Sequence, residues 1–204
     1  MVGIVFSTEA EATPFLARYA GGRLEGVTEG EFAFDSDLLV SILGIGKIKA
    51  TLRVERLLQE HRLSRIVHVG ACWSFGDEPG VDEIIAIEQA FEGDRIELSA
   101  PSYPRMPIDT EFRQLKSYRI VTQDHTPGGA EEVGYWQRLA HVTDYTAYPL
   151  AYVAATHGVR CDIVKIVLGR AGAVVTPGGE RVSKAHEALA AFVLSAMPAI
   201  LSAG

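Results

Sequence analysis

The chain is poor in cysteine, in basic charge and in long apolar runs. Its 204 residues include two cysteines, Cys72 and Cys161, too few for a disulfide framework. It has 19 Lys+Arg against 26 Asp+Glu, which opposes the basic face that nucleic-acid binding needs. No segment offers about 18 uninterrupted apolar residues, and the start MVGIVFSTEAEA lacks the basic leader of a signal peptide. We therefore predict a cytoplasmic protein with no nucleic-acid and no membrane partner.

Metal-binding and phosphate-binding motifs are also missing. The six histidines form no His-x-x-x-His pair, so we predict no metal site and no cofactor. The segment Gly44-Ile45-Gly46-Lys47 joins a predicted strand to a predicted helix, where an anion is favoured. It lacks the spacing of a P-loop, and Lys49 occupies the third glycine position of G-x-G-x-x-G. By itself the segment favours a tight turn.

Short apolar runs alternate with amphipathic segments along the chain. We predict strands at Val2–Phe6, Arg65–Gly70, Asp82–Ala90, Arg119–Thr122 and Cys161–Leu168, with a meander over 22–43 and a loop over 93–117. Helices are predicted after Gly44, over 144–157 and from about Gly179. This alternation predicts a single domain over residues 1–204, with a three-layer α/β/α architecture and a central twisted, mixed sheet.

The start of the first helix has two readings. Thr8 and Glu11 stand three residues apart, as in a capping box. Thr13 and Pro14 form an alternative cap and first position of a later helix. In the helix after Gly44, we expect Ile48, Leu52, Val54, Leu57 and Leu58 to share one broad face.

Candidate site residues follow the ends of the predicted strands, where α/β sheets bind ligands. Cys72 follows such a strand, but no activating base stands near it in sequence, so we interpret it as a small buried hydrophobe. His68 lies within a strand and is interpreted as a core residue, whereas His125 comes just after one and is a better pocket candidate.

An ordered set of segments resembles one family over nearly the whole chain. Thr8-Glu9-Ala10-Glu11 after the first strand resembles the "AMEEE" opening of the 5′-methylthioadenosine/S-adenosylhomocysteine nucleosidases. LGIGKIKAT resembles their "SGIGKVNAA", and RIVHVGACWSF, IVTQD, TDYTAYPLAYVAATHGV and DIVKIVLGRAG resemble later segments in the same order. The resemblance implies the nucleoside phosphorylase-like superfamily, which includes futalosine hydrolases, and a homodimer.

The resemblance also implies a reaction and a site. Such enzymes break the N-glycosidic bond of a nucleoside with a glutamate as the base that activates water, and Glu11 stands at that position. The substrate would be a purine-type nucleoside or analogue. The pocket residues implied are Ser7, Ile45, Ala71, Cys72, Trp73, Asp124, His125, Asp144, Tyr145, Thr146 and Arg170.

Three positions depart from the family pattern. Thr146 replaces the glutamate that holds the ribose hydroxyls, and Gly169 replaces the aspartate that protonates the leaving base. Trp73 replaces a small residue and is expected to fill part of the pocket. Arg170, Asp144 or His125 would then have to assist the leaving group.

The departures leave two alternatives beside the hydrolase. One is a degenerate protein that binds a nucleoside without turning it over, since function depends on the site and not on the fold. The other is a phosphorylase. His68 and Ala71 stand where phosphate-binding arginine and serine or threonine would be expected, so hydrolysis is favoured over phosphorolysis.

Overall fold

A computed structural model describes residues 1–94, 103–173 and 179–202. The strands are β1 (Val2–Phe6), β2 (Phe32–Asp35), β3 (Leu38–Ile42), β4 (Arg65–Ser74), β5 (Ile84–Glu92), β6 (Arg105–Pro107), β7 (Ser117–Thr122), β8 (Val142–Asp144) and β9 (Arg160–Arg170). The helices are α1 (Glu9–Arg18), α2 (Lys47–Glu60), α3 (Gly129–Trp136), α4 (Ala147–Thr156) and α5 (Glu180–Ser202). Part of the loop predicted over 93–117, residues 95–102, lies outside the described residues.

All nine strands join one mixed sheet. Strand β1 lies between β3 and β4 and is parallel to both. It is buried along its whole length, as expected of a strand covered on both faces. Pairings of β4 with β9, β9 with β5, β5 with β7, β7 with β8 and β8 with β4 close five strands into a ring. The ring strands share an apolar cluster with helix α4, which includes Cys72 and Ile85.

Helices cover both faces of the sheet. One apolar cluster joins α1 and α5 to β1, β3 and β4, through Phe15 and Leu189 among others. A second joins α2 and α4 to the opposite face, through Val54 and Leu150. The predicted three-layer α/β/α architecture is confirmed, while the assignment of residues 1–204 to one domain stays a prediction.

Helix α1 begins at the earlier of the two predicted starts. Thr8 is the N-cap: its Oγ1 accepts a hydrogen bond from the Glu11 backbone N–H at 3.3 Å, and Glu11 Oε2 accepts one from the Thr8 N–H at 2.8 Å. Pro14 lies inside the helix. Because proline has no N–H, it cannot bond the carbonyl of Ala10 one turn earlier.

The prediction of one apolar face on α2 is wrong. Ala50, Val54 and Leu57 are buried, but Ile48 is 74% exposed and Leu52 is 65% exposed. At 100° per residue, positions 48 and 52 lie on a different side of the helix from 50, 54 and 57. The apolar residues of α2 therefore form two faces, of which only one contacts the sheet.

Helix α5 is the one described helix that is long and apolar enough to cross a membrane by length and composition. In the structure it is a packing helix: Leu189, Val193 and Ile200 are buried in the cluster shared with α1 and β1. The helix continues through Pro198, although proline lacks the N–H that would bond the carbonyl one turn earlier.

A buried ion pair fixes the start of β4 to β9. Arg65 and Asp162 are 2% and 1% exposed, with Nε and Oδ2 2.7 Å apart. We expect Arg65→Met to lower the free energy of unfolding by roughly 3–5 kcal/mol, because Asp162 would be left buried without its counter-charge. Urea denaturation measures this loss.

The matched control is Arg56→Gln, which removes an exposed i,i+4 pair with Glu60. This change should cost about 0.5 kcal/mol or less. Equal losses in the two variants would contradict the assigned role of the Arg65–Asp162 pair.

Candidate functional site

The candidate site forms where three chain segments meet. Phe6 pairs with Val69 in the parallel β1–β4 register, so Ser7 lies beside Gly70. The end of β8 arrives from the other direction, since Thr143 pairs with Trp73 in the antiparallel β4–β8 contact. Residues from 7–11, 70–73 and 144–146 therefore meet in space, although they are far apart in sequence.

The Glu11 carboxylate joins helix α1 to strand β4. Its Oε1 accepts a hydrogen bond from the Ala71 backbone N–H at 2.7 Å, while Oε2 accepts from the Thr8 N–H at 2.8 Å. The residue is 6% exposed and lines two cavities. A carboxylate oxygen accepts more than one hydrogen bond. The capping role and a role as a base are therefore compatible.

Gly70 permits a close cluster of charged and polar groups. A Cβ at this position would lie 3.1 Å from Glu11 Oε1, 3.2 Å from Ser7 Oγ and 3.3 Å from Lys165 Nζ. Lys165 is 0% exposed and its Nζ lies 2.8 Å from Oδ2 of Asp144, which is 2% exposed. A buried pair of this kind needs close geometry and further hydrogen bonds to offset its desolvation. Thr122 supplies one, since its Oγ1 donates to Asp144 Oδ1 at 2.7 Å.

A hydroxyl network adjoins this pair. Ser7 Oγ lies 3.0 Å from His68 Nε2 and 2.8 Å from Thr146 Oγ1. Lys165 Nζ lies 3.4 Å from the same His68 nitrogen, and because an ammonium can only donate, Nε2 acts as the acceptor. Burial and the Lys165 charge hold the pKa of His68 well below its usual value. His68 is therefore a neutral core residue, in agreement with the sequence interpretation.

Two cavities open beside Glu11. The larger, which we call the α1–α5 cavity, measures about 570 Å³. Its lining consists of Thr8, Ala10, Glu11, Thr13, Pro14, Ile45, Ala71, Trp73, Leu168, Val182, Ser183, His186 and Glu187. The smaller, which we call the inner chamber, measures about 50 Å³ and is lined by Ser7, Thr8, Glu11, Ile45, Ala71, Trp73, Asp144, Tyr145 and Thr146. Trp73 and Tyr145 contact each other edge-to-face, with ring centroids 5.6 Å apart.

Of the eleven pocket residues that the sequence predicted besides Glu11, the structure brings seven together at the inner chamber. They are Ser7, Ile45, Ala71, Trp73, Asp144, Tyr145 and Thr146. Cys72 instead packs in the apolar cluster of the ring strands and α4, and burial raises the pKa of its thiol. Arg170 is half-exposed and pairs with Asp77, outside the lining of both cavities.

Asp124 and His125 belong to a charged network at the edge of the sheet. Asp124 Oδ1 accepts from the Lys47 backbone N–H at 2.8 Å, at the start of α2. His125 Nε2 lies 2.7 Å from Glu132 Oε1, and its Nδ1 lies 3.2 Å from Asp94 Oδ1. These contacts border a separate cavity of about 500 Å³.

Sequence reasoning missed Lys165 and His186. A signal for Lys165 was present, since it is the one lysine inside the apolar run CDIVKIVL, and a buried lysine requires a partner. No comparable signal marks His186, because its contact with the site comes from the packing of α5 on α1. Among residues 1–94, 103–173 and 179–202, no group of three His, Cys, Asp or Glu side chains is placed to hold a metal ion.

Solved structures with a similar fold include nucleosidases and a futalosine hydrolase. A 5′-methylthioadenosine/S-adenosylhomocysteine nucleosidase from Campylobacter jejuni superposes with a TM-score of 0.79 at 18% identity, covering 95% of this chain and 96% of that one. A futalosine hydrolase mutant from Helicobacter pylori gives 0.79 at 17% identity, covering 97% and 98%. The Helicobacter pylori nucleosidase with butyl-thio-DADMe-Immucillin-A gives 0.78 at 17% identity, covering 97% of each chain.

Neither a protein-family model nor a curated protein matches the chain. The resemblance to the nucleoside phosphorylase-like fold therefore holds at the level of structure, where nearly the whole of each chain is covered. At such low identity, the likeness establishes the fold alone.

The charged network around His125 should make stability depend on pH. Its hydrogen bond to Glu132, opposed by burial and aided by the charges of Glu132 and Asp94, raises the pKa of His125 above its usual value. The stabilisation is complete below the ordinary histidine pKa and is lost as pH rises through the raised value. We expect His125→Gln to flatten this part of the stability profile, measured as Tm from pH 5 to 9.

The control is His157→Gln, because His157 also contacts a carboxylate, Glu55, but lies outside the network. An unchanged slope in His125→Gln would show that other groups cause the pH dependence.

Proposed function

We propose that the protein is a hydrolase that cleaves the N-glycosidic bond of a purine-type nucleoside or analogue. Glu11 is the proposed base. The observation that carries the proposal is a carboxylate held at the wall of two cavities by one backbone N–H on each oxygen. Such a carboxylate has a fixed orientation and an unused lone pair for a water proton. The fold shared with nucleosidases supports the substrate class.

The proposed step moves one proton and one bonding pair. The oxygen of a water molecule bonds to the sugar carbon as the bond from that carbon to the base nitrogen breaks. The bonding electrons leave with the base, and the water gives its proton to Glu11. Because the transition state carries positive charge on the sugar, a nearby carboxylate also stabilises it electrostatically.

The leaving base needs a proton or a stabilised negative charge. Asp144, Arg170 and His125 are the candidates to assist the leaving base. Asp144 shares the inner chamber with Glu11. Arg170 instead pairs with Asp77, and His125 lies in the charged network with Glu132. Asp144 Oδ2 already binds Lys165 Nζ at 2.8 Å, so this oxygen is not free to serve the leaving base. We therefore propose a substrate whose base departs readily as an anion.

The size of the inner chamber favours the second candidate, a protein that binds without catalysis. About 50 Å³ exceeds the volume of a water molecule but holds no sugar ring. Trp73 and Tyr145 line this space, so a sugar ring could enter the inner chamber only if one of these rings moved. Phosphorolysis has less support, since neither cavity has a lysine or arginine in its lining within the described part of the chain.

The test offers purified protein methylthioadenosine, adenosylhomocysteine, futalosine, adenosine and inosine, with free base measured by chromatography. We expect Glu11→Gln to reduce base release on the order of 10²- to 10⁴-fold, as removal of a general base does. Glutamine retains an oxygen for one of the two N–H donors and is accepted at this capping position, so the fold should persist, as checked by thermal denaturation.

The matched control is Glu9→Gln. Glu9 lies in the same first turn of α1, and its Oε1 accepts the exposed Glu29 N–H at 2.9 Å. Undiminished release by Glu11→Gln would reject Glu11 as the base. Binding by the wild type without any release would favour the non-catalytic protein, and neither binding nor release would reject both.

We also propose that the protein forms a homodimer through the second apolar face of α2. Ile48 and Leu52 on α2 and Tyr152 on α4 are each at least half exposed, at 74%, 65% and 50%. Together they line a depression of about 450 Å³. Adjoining exposed apolar residues are typical of a protein interface, and one face can contact its own copy across a two-fold axis. We propose separately that the protein is located in the cytoplasm.

Leu52→Lys tests the dimer. A lysine on each side of a two-fold contact places like charges in an apolar interface, so we expect the variant to be monomeric by sedimentation velocity at concentrations where the wild type is dimeric. Val81→Lys is the control, because Val81 is 48% exposed but lies outside the depression. A monomeric wild type would reject the proposal.

A further inference from the structure

His186 is a buried residue of the α1–α5 cavity to which the proposed reaction gives no role. It lies on α5 and is 7% exposed, and its side chain lines the same cavity as Glu11. Its Nε2 has no hydrogen-bond partner in the part of the chain that the structure describes. Buried polar atoms are rarely left without a partner, and those that are often mark a site for a bound group.

The other ring nitrogen of His186, Nδ1, bonds a carbonyl of helix α1 that has no helical donor. Pro14 has no N–H, so the Ala10 carbonyl lacks its usual helical donor. Burial lowers the pKa of His186, opposed by the charge of Glu11 and by a hydrogen bond to the Ala10 backbone. Since a carbonyl only accepts and Nε2 is unpartnered, the ring donates to Ala10 through Nδ1. The neutral ring then carries its lone pair on Nε2.

The surroundings of this nitrogen are mostly apolar. Pro14, Ile45, Leu168 and Val182 contribute to the cavity wall, and Leu168 and Val182 are buried. An apolar group fits this wall, and the acceptor at Nε2 selects for a hydrogen-bond donor on that group. The Glu11 carboxylate in the same lining already accepts two backbone N–H groups, whereas Nε2 has no partner in the described residues. A ligand without the donor leaves this buried acceptor unpaired, and the site therefore discriminates against it.

We propose that the ligand places an apolar group with a hydroxyl or N–H donor in the α1–α5 cavity, and that His186 Nε2 accepts the hydrogen bond from this donor. His186 is thus a specificity-determining residue, fixed by the Ala10 carbonyl that Pro14 leaves free. The inference rests on the proposed function in assigning the ligand to a nucleoside-like class. The chemistry of the cavity does not depend on turnover and is tested without it.

The experiment uses two small probes, phenol and anisole, which have similar shape but differ in the hydroxyl donor. Binding is followed by protein NMR, with the ring nitrogens of His186 observed in ¹⁵N-labelled full-length protein. In the free protein we expect Nδ1 protonated and Nε2 unprotonated. Phenol should shift the Nε2 resonance in the direction of an accepted hydrogen bond, and it should bind about fivefold more tightly than anisole, as one net hydrogen bond allows.

His186→Leu should still bind both probes, because the apolar wall remains. It should bind them equally, because the acceptor nitrogen is gone. Lys184→Gln is the matched control on the same helix, since Lys184 is exposed and pairs with Glu180. This variant should keep the wild-type preference. The wild-type NMR measurement stands even where His186→Leu fails to fold. A protonated Nε2 in the free protein, or equal binding of phenol and anisole by the wild type, would overturn the proposal.

These outcomes are separate from those of the nucleoside assay. A protein that releases no base but prefers phenol through His186 retains the cavity inference and loses the hydrolase. A protein that releases base but shows no phenol preference retains the hydrolase and loses the role of His186.

Discussion

The Glu11 carboxylate is the contact on which the candidate site depends. Its two oxygens bond backbone N–H groups of Thr8 and Ala71, so one side chain both begins helix α1 and attaches it to the middle of β4. Hydrogen bonds to a charged acceptor are stronger than neutral ones and more directional in effect. The same interaction that stabilises the start of the helix therefore fixes the orientation of the proposed base.

The second constraint is the buried charge beneath this carboxylate. Lys165 and Asp144 come from β9 and β8, and their pair is buried within the sheet. Replacing such a pair with apolar residues is often neutral or stabilising, so its presence is not explained by stability alone. Its position beside Gly70, Ser7 and Glu11 suits a site that must hold charge and fixed dipoles away from water. Glycine at position 70 allows this close approach, since a Cβ there would force these groups to shift by a few tenths of an ångström.

Helices α1 and α2 each carry two sets of apolar residues, one packed in the core and the other at a cavity or on the surface. Helix α2 buries Ala50, Val54 and Leu57 against the sheet and leaves Ile48 and Leu52 exposed. Likewise α1 uses Phe15 for the core, while Pro14 lines the α1–α5 cavity and leaves a carbonyl free. In both helices, residues that do not serve the core are the ones to which we assign contacts with a partner or a ligand.

The sequence by itself determined the order of the main elements, because strand and helix periodicities are local properties of the chain. It also offered the capping box of Thr8 and Glu11 as one of two possible helix starts, and the structure decided in its favour. It did not predict α3 or β8, whose segments are short and lack a clear period. Tertiary structure alone decided that β4, β5, β7, β8 and β9 close into a ring, that Lys165 lies beneath Glu11, and that His186 reaches the same cavity. These contacts join residues tens to more than one hundred positions apart, and no local pattern records which distant groups the packing of a sheet and two helices will bring together.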